Sequence, residues 1–217
     1  MQIEILERNA YWAAVVKPAG ISSEKDGMGR AVAETLKISP DEVYPVHRLD
    51  REVGGVMVYA LTKEMAAFLS MASAEHRMRK SYLALIQGVP ETEEGRWEDL
   101  LFHDRVRNKT YVAERMRKGV KPAALDYRLI RAKEQEERGM FFSLLEVTLL
   151  TGRTHQIRAQ CAARGMPIAG DRRYGGQGKN GICLFAWRLS FQDPRGGPEK
   201  CFTLPVPRWA ADFVPDI

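Results

Sequence analysis

The chain has 217 residues, 45% hydrophobic and 28% charged, a balance ordinary for a soluble globular protein with a packed core. Thirty-three Lys and Arg against 28 Asp and Glu leave a formal charge of +5, which suits an anionic partner such as nucleic acid. No stretch approaches the ~20 apolar residues of a membrane span, and the acidic start Met1-Gln2-Ile3-Glu4-Ile5 lacks the apolar run of a signal peptide. Cys161, Cys183 and Cys201 are odd in number and have no CxxC spacing, so neither a disulfide framework nor a zinc site is expected. A cytoplasmic protein follows from that pattern, with no membrane partner.

Residues 2–7 and 11–16 read as a β-hairpin around Arg8-Asn9-Ala10, with Trp12-Ala13-Ala14-Val15-Val16 packing inward. Lys17-Pro18-Ala19-Gly20 turns out of it. A helix is expected over 29–37, with Ala31, Val32, Thr35 and Leu36 on one face, broken by Pro40. Then comes His47-Arg48-Leu49-Asp50, a polar turn that ends in a carboxylate. It runs through Arg51-Glu52-Val53-Gly54-Gly55 into an apolar, β-branched stretch over 55–61 that reads as a buried central strand. Asp50 thus stands at the mouth of a rigid element among His47, Arg48 and Arg51, where it is either a reactive carboxylate or a turn aspartate.

Thr62 is a candidate N-cap for a helix that buries Met65, Phe68, Leu69 and Ala72. The cluster His76-Arg77-Met78-Arg79-Lys80 is either a solvated helix end or a phosphate contact. Residues 82–87 alternate into a strand, and 91–95 form a polar connection. Residues 103–121 carry Arg105, Arg107, Lys109, Arg115, Arg117, Lys118 and Lys121, which suits either a solvated hairpin or an arm that contacts a nucleic-acid backbone; the scarcity of interleaved acids, Asp104 and Glu114 apart, favours the arm. Long strands follow over 123–131 and 141–150, joined by a charged loop at 133–139; Phe141, Leu145, Val147 and Leu149 share one face. A helix is expected over 153–164, capped by Thr151 and stopped by Gly165. The strands 184–191 and 202–204 close the chain. Strands in runs with few helices give an α+β fold class: a mixed, mainly antiparallel sheet with flanking helices, in one domain over 1–217.

Five segments in order carry a family resemblance. They are Val16-Lys17-Pro18-Ala19-Gly20, the His47–Gly55 stretch, Lys80-Ser81-Tyr82-Leu83-Ala84-Leu85 with Gly88, Gly152-Arg153-Thr154-His155-Gln156-Ile157-Arg158 after Thr151, and Gly170-Asp171-Arg172-Arg173-Tyr174-Gly175. Lys121-Pro122-Ala123 is a further match in the same order. Together they resemble the RluA-type RNA pseudouridine synthases, over about Tyr11 to Trp209. The resemblance implies a pseudouridine synthase fold that isomerises uridine in transfer or ribosomal RNA with no metal or organic cofactor.

By the same resemblance Asp50 is the catalytic aspartate, as nucleophile or general base, and Arg158 is its partner. Tyr82 stacks on the base and is the candidate to take the C5 proton. Arg48 fills the place of the flipped base, and Ile157 walls its pocket. Lys17, Arg153, Arg172 and Arg173 are phosphate candidates. His47 and His155 orient the motif turns, with His47 also at the substrate, and neither has zinc-ligand company. The family commonly has Thr-Ser-Gly where this chain has Val53-Gly54-Gly55, so two hydroxyls that could brace the turn are missing. The ~50 extra residues of the S4 RNA-binding domain found in many relatives are not seen ahead of these motifs. Substrate choice is therefore expected to rest on the domain itself, acting as a monomer on an RNA stem-loop with no obligatory protein partner. Two rival readings are a synthase-like RNA-binding module without turnover and, much weaker, a metal-dependent nuclease.

Overall fold

Residues 1–135, 139–178 and 180–214 are described by a computed structural model. Their strands are β1 (Ile5–Arg8), β2 (Trp12–Lys17), β3 (Tyr44–Pro45), β4 (Gly54–Ala60), β5 (Arg79–Gln87) and β6 (Glu94–Asp104). Then come β7 (Lys109–Ala113), β8 (Val120–Gln135), β9 (Met140–Leu149), β10 (Leu184–Phe191) and β11 (Lys200–Thr203). The helices are α1 (Arg30–Leu36), α2 (Lys63–Ala74) and α3 (Gln156–Ala163). Strands dominate and their pairing is mainly antiparallel, the α+β class expected from the sequence.

Where the sequence leads to one domain, contacts divide the chain into two units: Met1–Lys80 with Ala186–Pro205, and Ser81–Phe185 with Val206–Ile217. The first is discontinuous because β10 returns beside β4 and brings β11 with it. Its order is β1, β2, β4, β10, β11, with β3 also on β4. Asn9 closes the first hairpin by accepting from the backbone N–H of Tyr11 and Trp12 at 2.8 and 3.0 Å. Trp12 is fully buried, edge-on to Phe191 at 5.3 Å, and its indole donates to Asp193 Oδ2 at 2.9 Å. Such a ring needs a polar partner for its N–H when it is taken out of water. Every residue of β4 is buried, which is what its unbroken apolar run requires.

Helix α1 buries Ala31, Val32, Ala33 and Leu36, and ends where Lys37 turns left-handed. Thr62 caps α2 as expected, its hydroxyl accepting from Met65 N at 3.2 Å. Met65, Leu69 and Ala72 are buried on that helix, while Phe68 is half-buried beneath the Arg77 guanidinium.

The second unit runs β5, β9, β8, β6, β7, each neighbour antiparallel. The polar segment 91–95 is shorter than expected, since Glu94 already enters β6, a strand whose mixed composition gives no clear alternation. Ser143, Leu144 and Leu145 are all fully buried, so both faces of central β9 are covered. Phe141, near the end of the strand, reaches solvent, and Phe142 is buried. Of the charged loop read at 133–139, residues 133–135 instead continue β8, and 136–138 lie outside the described residues. Helix α3 begins at Gln156 rather than 153. Thr151 and Gln156 spend their side chains on neighbouring strand backbone, and His155 precedes the helix in a left-handed conformation with φ 53°. Among the described residues no helix is long and apolar enough to cross a membrane.

Candidate functional site

The first unit fixes the turn that carries Asp50. Val53 N donates to Asp50 O at 3.0 Å and closes the turn over Arg51 and Glu52. Gly20 N donates to Arg51 O at 2.7 Å, which ties the turn to the segment leaving β2. Lys17, the last residue of β2, is only 1% exposed. Its ammonium donates to Val53 O at 2.6 Å, Pro18 O at 3.1 Å and Arg51 O at 3.2 Å. An ammonium has three donors, and here all three meet carbonyls. Burial pulls the Lys17 pKa down to about 8, with nearby Asp50 opposing and Arg51 reinforcing the shift. Expected at a phosphate, Lys17 is instead a buried clamp on the Asp50 turn, because no donor is left for a ligand.

His47 is held in the same unit. Its Nε2 accepts from Val58 N at 3.1 Å, so the neutral ring carries its proton on Nδ1. Burial, then the charge of Lys80, lowers its pKa to about 3. His47 therefore joins the turn to β4 as a neutral acceptor. Gly55 stands where β10 crosses: at φ 132°, a Cβ there would lie 2.2 Å from Ala186 O. Arg48 projects into solvent, 64% exposed, with Nη1 3.7 Å from Glu24 Oε1. An exposed pair of that kind is weak, so Arg48 is able to leave it for a ligand.

The second unit carries Tyr82 and the α3 residues. Tyr82, 6% exposed, sits on β5 opposite Val147. Arg158 is 2% exposed and forms a two-pronged pair with Asp171, Nε to Oδ2 at 2.7 Å and Nη2 to Oδ1 at 2.8 Å. Its guanidinium also lies 5.2 Å from the centre of the Tyr174 ring. Ile157 beside it is buried. The Tyr174 hydroxyl accepts from Thr110 N at 2.7 Å and is 3.1 Å from His155 Nδ1. Thr110 Oγ1 in turn donates to Thr154 O at 2.7 Å. The Gly170–Gly175 segment thus joins β7 to the start of α3. Asp171 and Tyr174 received no role in the sequence reading, although their motif was visible; only their three-dimensional partners give them one.

The basic candidates separate by exposure. Arg153 is half-buried, its Nε donating to Pro122 O at 2.9 Å. Arg173 donates to the carbonyls of Arg107 and Asn108 at 3.2 and 2.8 Å and so holds the β6–β7 turn. Arg172, Arg105, Arg107, Arg115, Arg117, Lys118 and Lys121 are exposed. Tyr111 is 37% exposed among them on β7. Cations interleaved with an aromatic ring suit a nucleic-acid backbone and its bases. Among the described residues no group of three or more His, Cys, Asp or Glu is arranged to hold a metal ion.

Of the residues expected to act together, Lys17, His47, Arg48 and Asp50 lie in the first unit and Tyr82, Arg153, Ile157 and Arg158 in the second. Comparison with known proteins gives a consistent picture. A family model described as RNA pseudouridylate synthase matches residues 11–163. The tRNA pseudouridine synthase C of Vibrio parahaemolyticus is 33% identical over 187 residues, which cover 81% of this chain and 74% of the relative. The protein of the same name from Haemophilus ducreyi is 29% identical over 216 residues, covering 90% and 87%. Human RNA Pseudouridylate Synthase Domain Containing 4 superposes with a TM-score of 0.77 over 97% of this chain and 91% of that one; at 20% identity this is a likeness of fold.

Proposed function

Because the chain belongs to the RNA pseudouridylate synthase family, we propose that it isomerises a uridine of transfer RNA to pseudouridine, with Asp50 as the catalytic carboxylate. The reaction breaks the N1–C1′ bond, turns the uracil, and forms a C5–C1′ bond. C5 loses a proton and N1 gains one, so the atoms balance without a co-reactant. The base first leaves its stack, which costs about a few kcal/mol.

The observation that carries the assignment is the rigidity of the Asp50 turn. A reacting carboxylate gains rate when it is held in one geometry, and a misplacement of about 1 Å can cost on the order of 100-fold. The Lys17 clamp on Arg51 O and Val53 O supplies both that rigidity and a positive charge near the carboxylate. A carboxylate attacks only in its ionised form. Arg48, exposed beside the turn, takes the place of the flipped base by stacking or hydrogen bonding. Tyr82 faces the base and accepts the C5 proton, with Ile157 as an apolar wall. Arg158, oriented by Asp171, contributes positive charge to the reaction.

Transfer RNA is favoured over ribosomal RNA by the names of the relatives that cover most of this chain. The exposed cations of 103–121 supply a phosphate-binding arm, and Arg153 and Arg172 extend it. The family match runs through both units and supports one catalytic domain over 1–217. In this reading the working form is a cytoplasmic monomer. The rival of an RNA-binding module without turnover rests on Val53-Gly54, where two hydroxyls are missing, and the Lys17 clamp weakens it.

The test is tritium release from unmodified transfer RNA labelled at uracil C5, comparing wild type with Asp50→Ala. Release by the wild type alone is the expected result. No release by either protein on transfer or ribosomal RNA, with RNA still bound, would favour the binding module.

A further inference from the structure

Val53-Gly54 offers no hydroxyl after the Asp50 turn, yet the turn is held on its other side by one. Ser23, 3% exposed, donates from Oγ to Leu49 O at 2.8 Å and accepts from Leu49 N at 3.0 Å. One hydroxyl therefore satisfies both backbone groups of the residue immediately before Asp50, and fixes the peptide plane from which the aspartate springs. A two-point bond of this kind resists rotation as well as translation. Ser23 is itself anchored from behind, since the fully buried Tyr59 donates its hydroxyl to Ser23 O at 2.8 Å. Tyr59 belongs to β4, the most enclosed strand of this unit.

The segment around Ser23 is also locked. Met28 N donates to Ser22 O at 2.8 Å, and Glu24 N donates to Ser22 Oγ at 3.2 Å. Gly27 passes so close that a Cβ there would lie 2.2 Å from Ser22 O. None of these groups faces a ligand in order to do its work. They run from β4 through Tyr59 and Ser23 to Leu49, and so to Asp50. Lys17 grips the carbonyls after Asp50, and Ser23 grips the residue before it.

We propose that Ser23, anchored by Tyr59, is a positioning residue for Asp50, supplying from the 20–24 segment the hydroxyl bracing that Val53-Gly54 does not provide. The proposal rests on the reading of Asp50 as the catalytic carboxylate. A residue that only stabilises the fold changes the fraction of active protein. One that positions a reacting group changes kcat of the folded protein and leaves substrate affinity alone.

The experiment measures kcat and KM by tritium release from C5-labelled unmodified transfer RNA, with thermal unfolding and RNA affinity recorded for each variant. Ser23→Ala is expected to lower kcat by roughly 10- to 100-fold with KM and RNA affinity within about threefold. Ser23→Thr keeps the hydroxyl and is expected to return kcat to within about threefold of wild type. If Ser23→Ala is unfolded at the assay temperature, Tyr59→Phe removes only the anchor and is expected to lower kcat several-fold. Folded Ser23→Ala with kcat within about twofold of wild type would overturn the proposal, as would a loss confined to KM, a Thr variant as slow as Ala, or, where the Ala variant does not fold, an unaffected Tyr59→Phe. Asp50→Asn is run alongside. Turnover by that variant would show that the reading of Asp50 itself is wrong, whereas a dead Asp50→Asn with a normal Ser23→Ala removes the role of Ser23 alone.

Discussion

Acid should unfold this protein partly through one histidine. His47 Nε2 accepts from Val58 N at 3.1 Å, and Nδ1 is buried with no partner among the described residues. Protonating the ring would turn its only engaged acceptor into a donor that faces another N–H. Burial and the charge of Lys80 accordingly hold its pKa near 3, against an ordinary value of 6.5. The unfolded chain takes up this proton as pH falls through 6.5, and the folded chain refuses it until about 3. Stability from this group is therefore complete above pH 6.5 and is lost progressively between there and pH 3. At about 1.36 kcal/mol per pH unit, the loss is about 2 kcal/mol at pH 5 and about 3 kcal/mol at pH 4. Urea unfolding of wild type and His47→Gln at pH 7 and pH 5 measures it, because glutamine can still accept from Val58 but does not titrate. Wild type should lose about 2 kcal/mol more than the variant over that interval. Equal losses, within about 0.5 kcal/mol, would refute the view that His47 is kept neutral by its place against β4.

Asp171→Ala removes the two charge-assisted hydrogen bonds that the buried Arg158 guanidinium donates to that carboxylate, and should cost about 2–3 kcal/mol in urea unfolding. A loss below about 1 kcal/mol would mean that the pair contributes little. Tyr82→Phe should lower the rate of pseudouridine formation more than it weakens RNA binding; single-turnover rates beside filter-binding affinities decide this, and an unchanged rate would return Tyr82 to the role of core aromatic. RNA affinity should fall steeply with salt, the log–log slope approaching about −0.7 to −0.9 per phosphate contacted. A flat plot would remove the exposed cations of 103–121 from the interface.

Local pattern was enough to find most elements of this chain, and motif order was enough to find its family. The apolar run after Gly54-Gly55 became β4, every residue of it buried, because a run without alternation has to be covered on both faces. Thr62, Met65, Leu69 and Ala72 announced α2 through a cap and a helical spacing that act over a few residues. Elements whose cause is not local were harder to see. β6 mixes charged and apolar residues because its neighbours β7 and β8 differ along its length. Helix α3 starts late because Thr151 and Gln156 bond strand backbone around Ala124.

The sequence by itself determined the fold class, the order of the motifs and the family to which they point. Only the tertiary structure decided what those residues do for one another. Lys17 read as a phosphate candidate, and nothing in Lys17-Pro18-Ala19-Gly20 says that carbonyls 34 and 36 positions away will take its donors. Asp171 looked like part of a glycine-flanked loop until Arg158, 13 residues earlier, met it. Ser23 and Leu49 are 26 residues apart, with no pattern to link them. Periodicity records which face of an element leaves water, because burial acts on each residue separately. It carries no record of which buried polar group meets which, because that choice is made only when distant segments exclude water together and every donor has to find an acceptor.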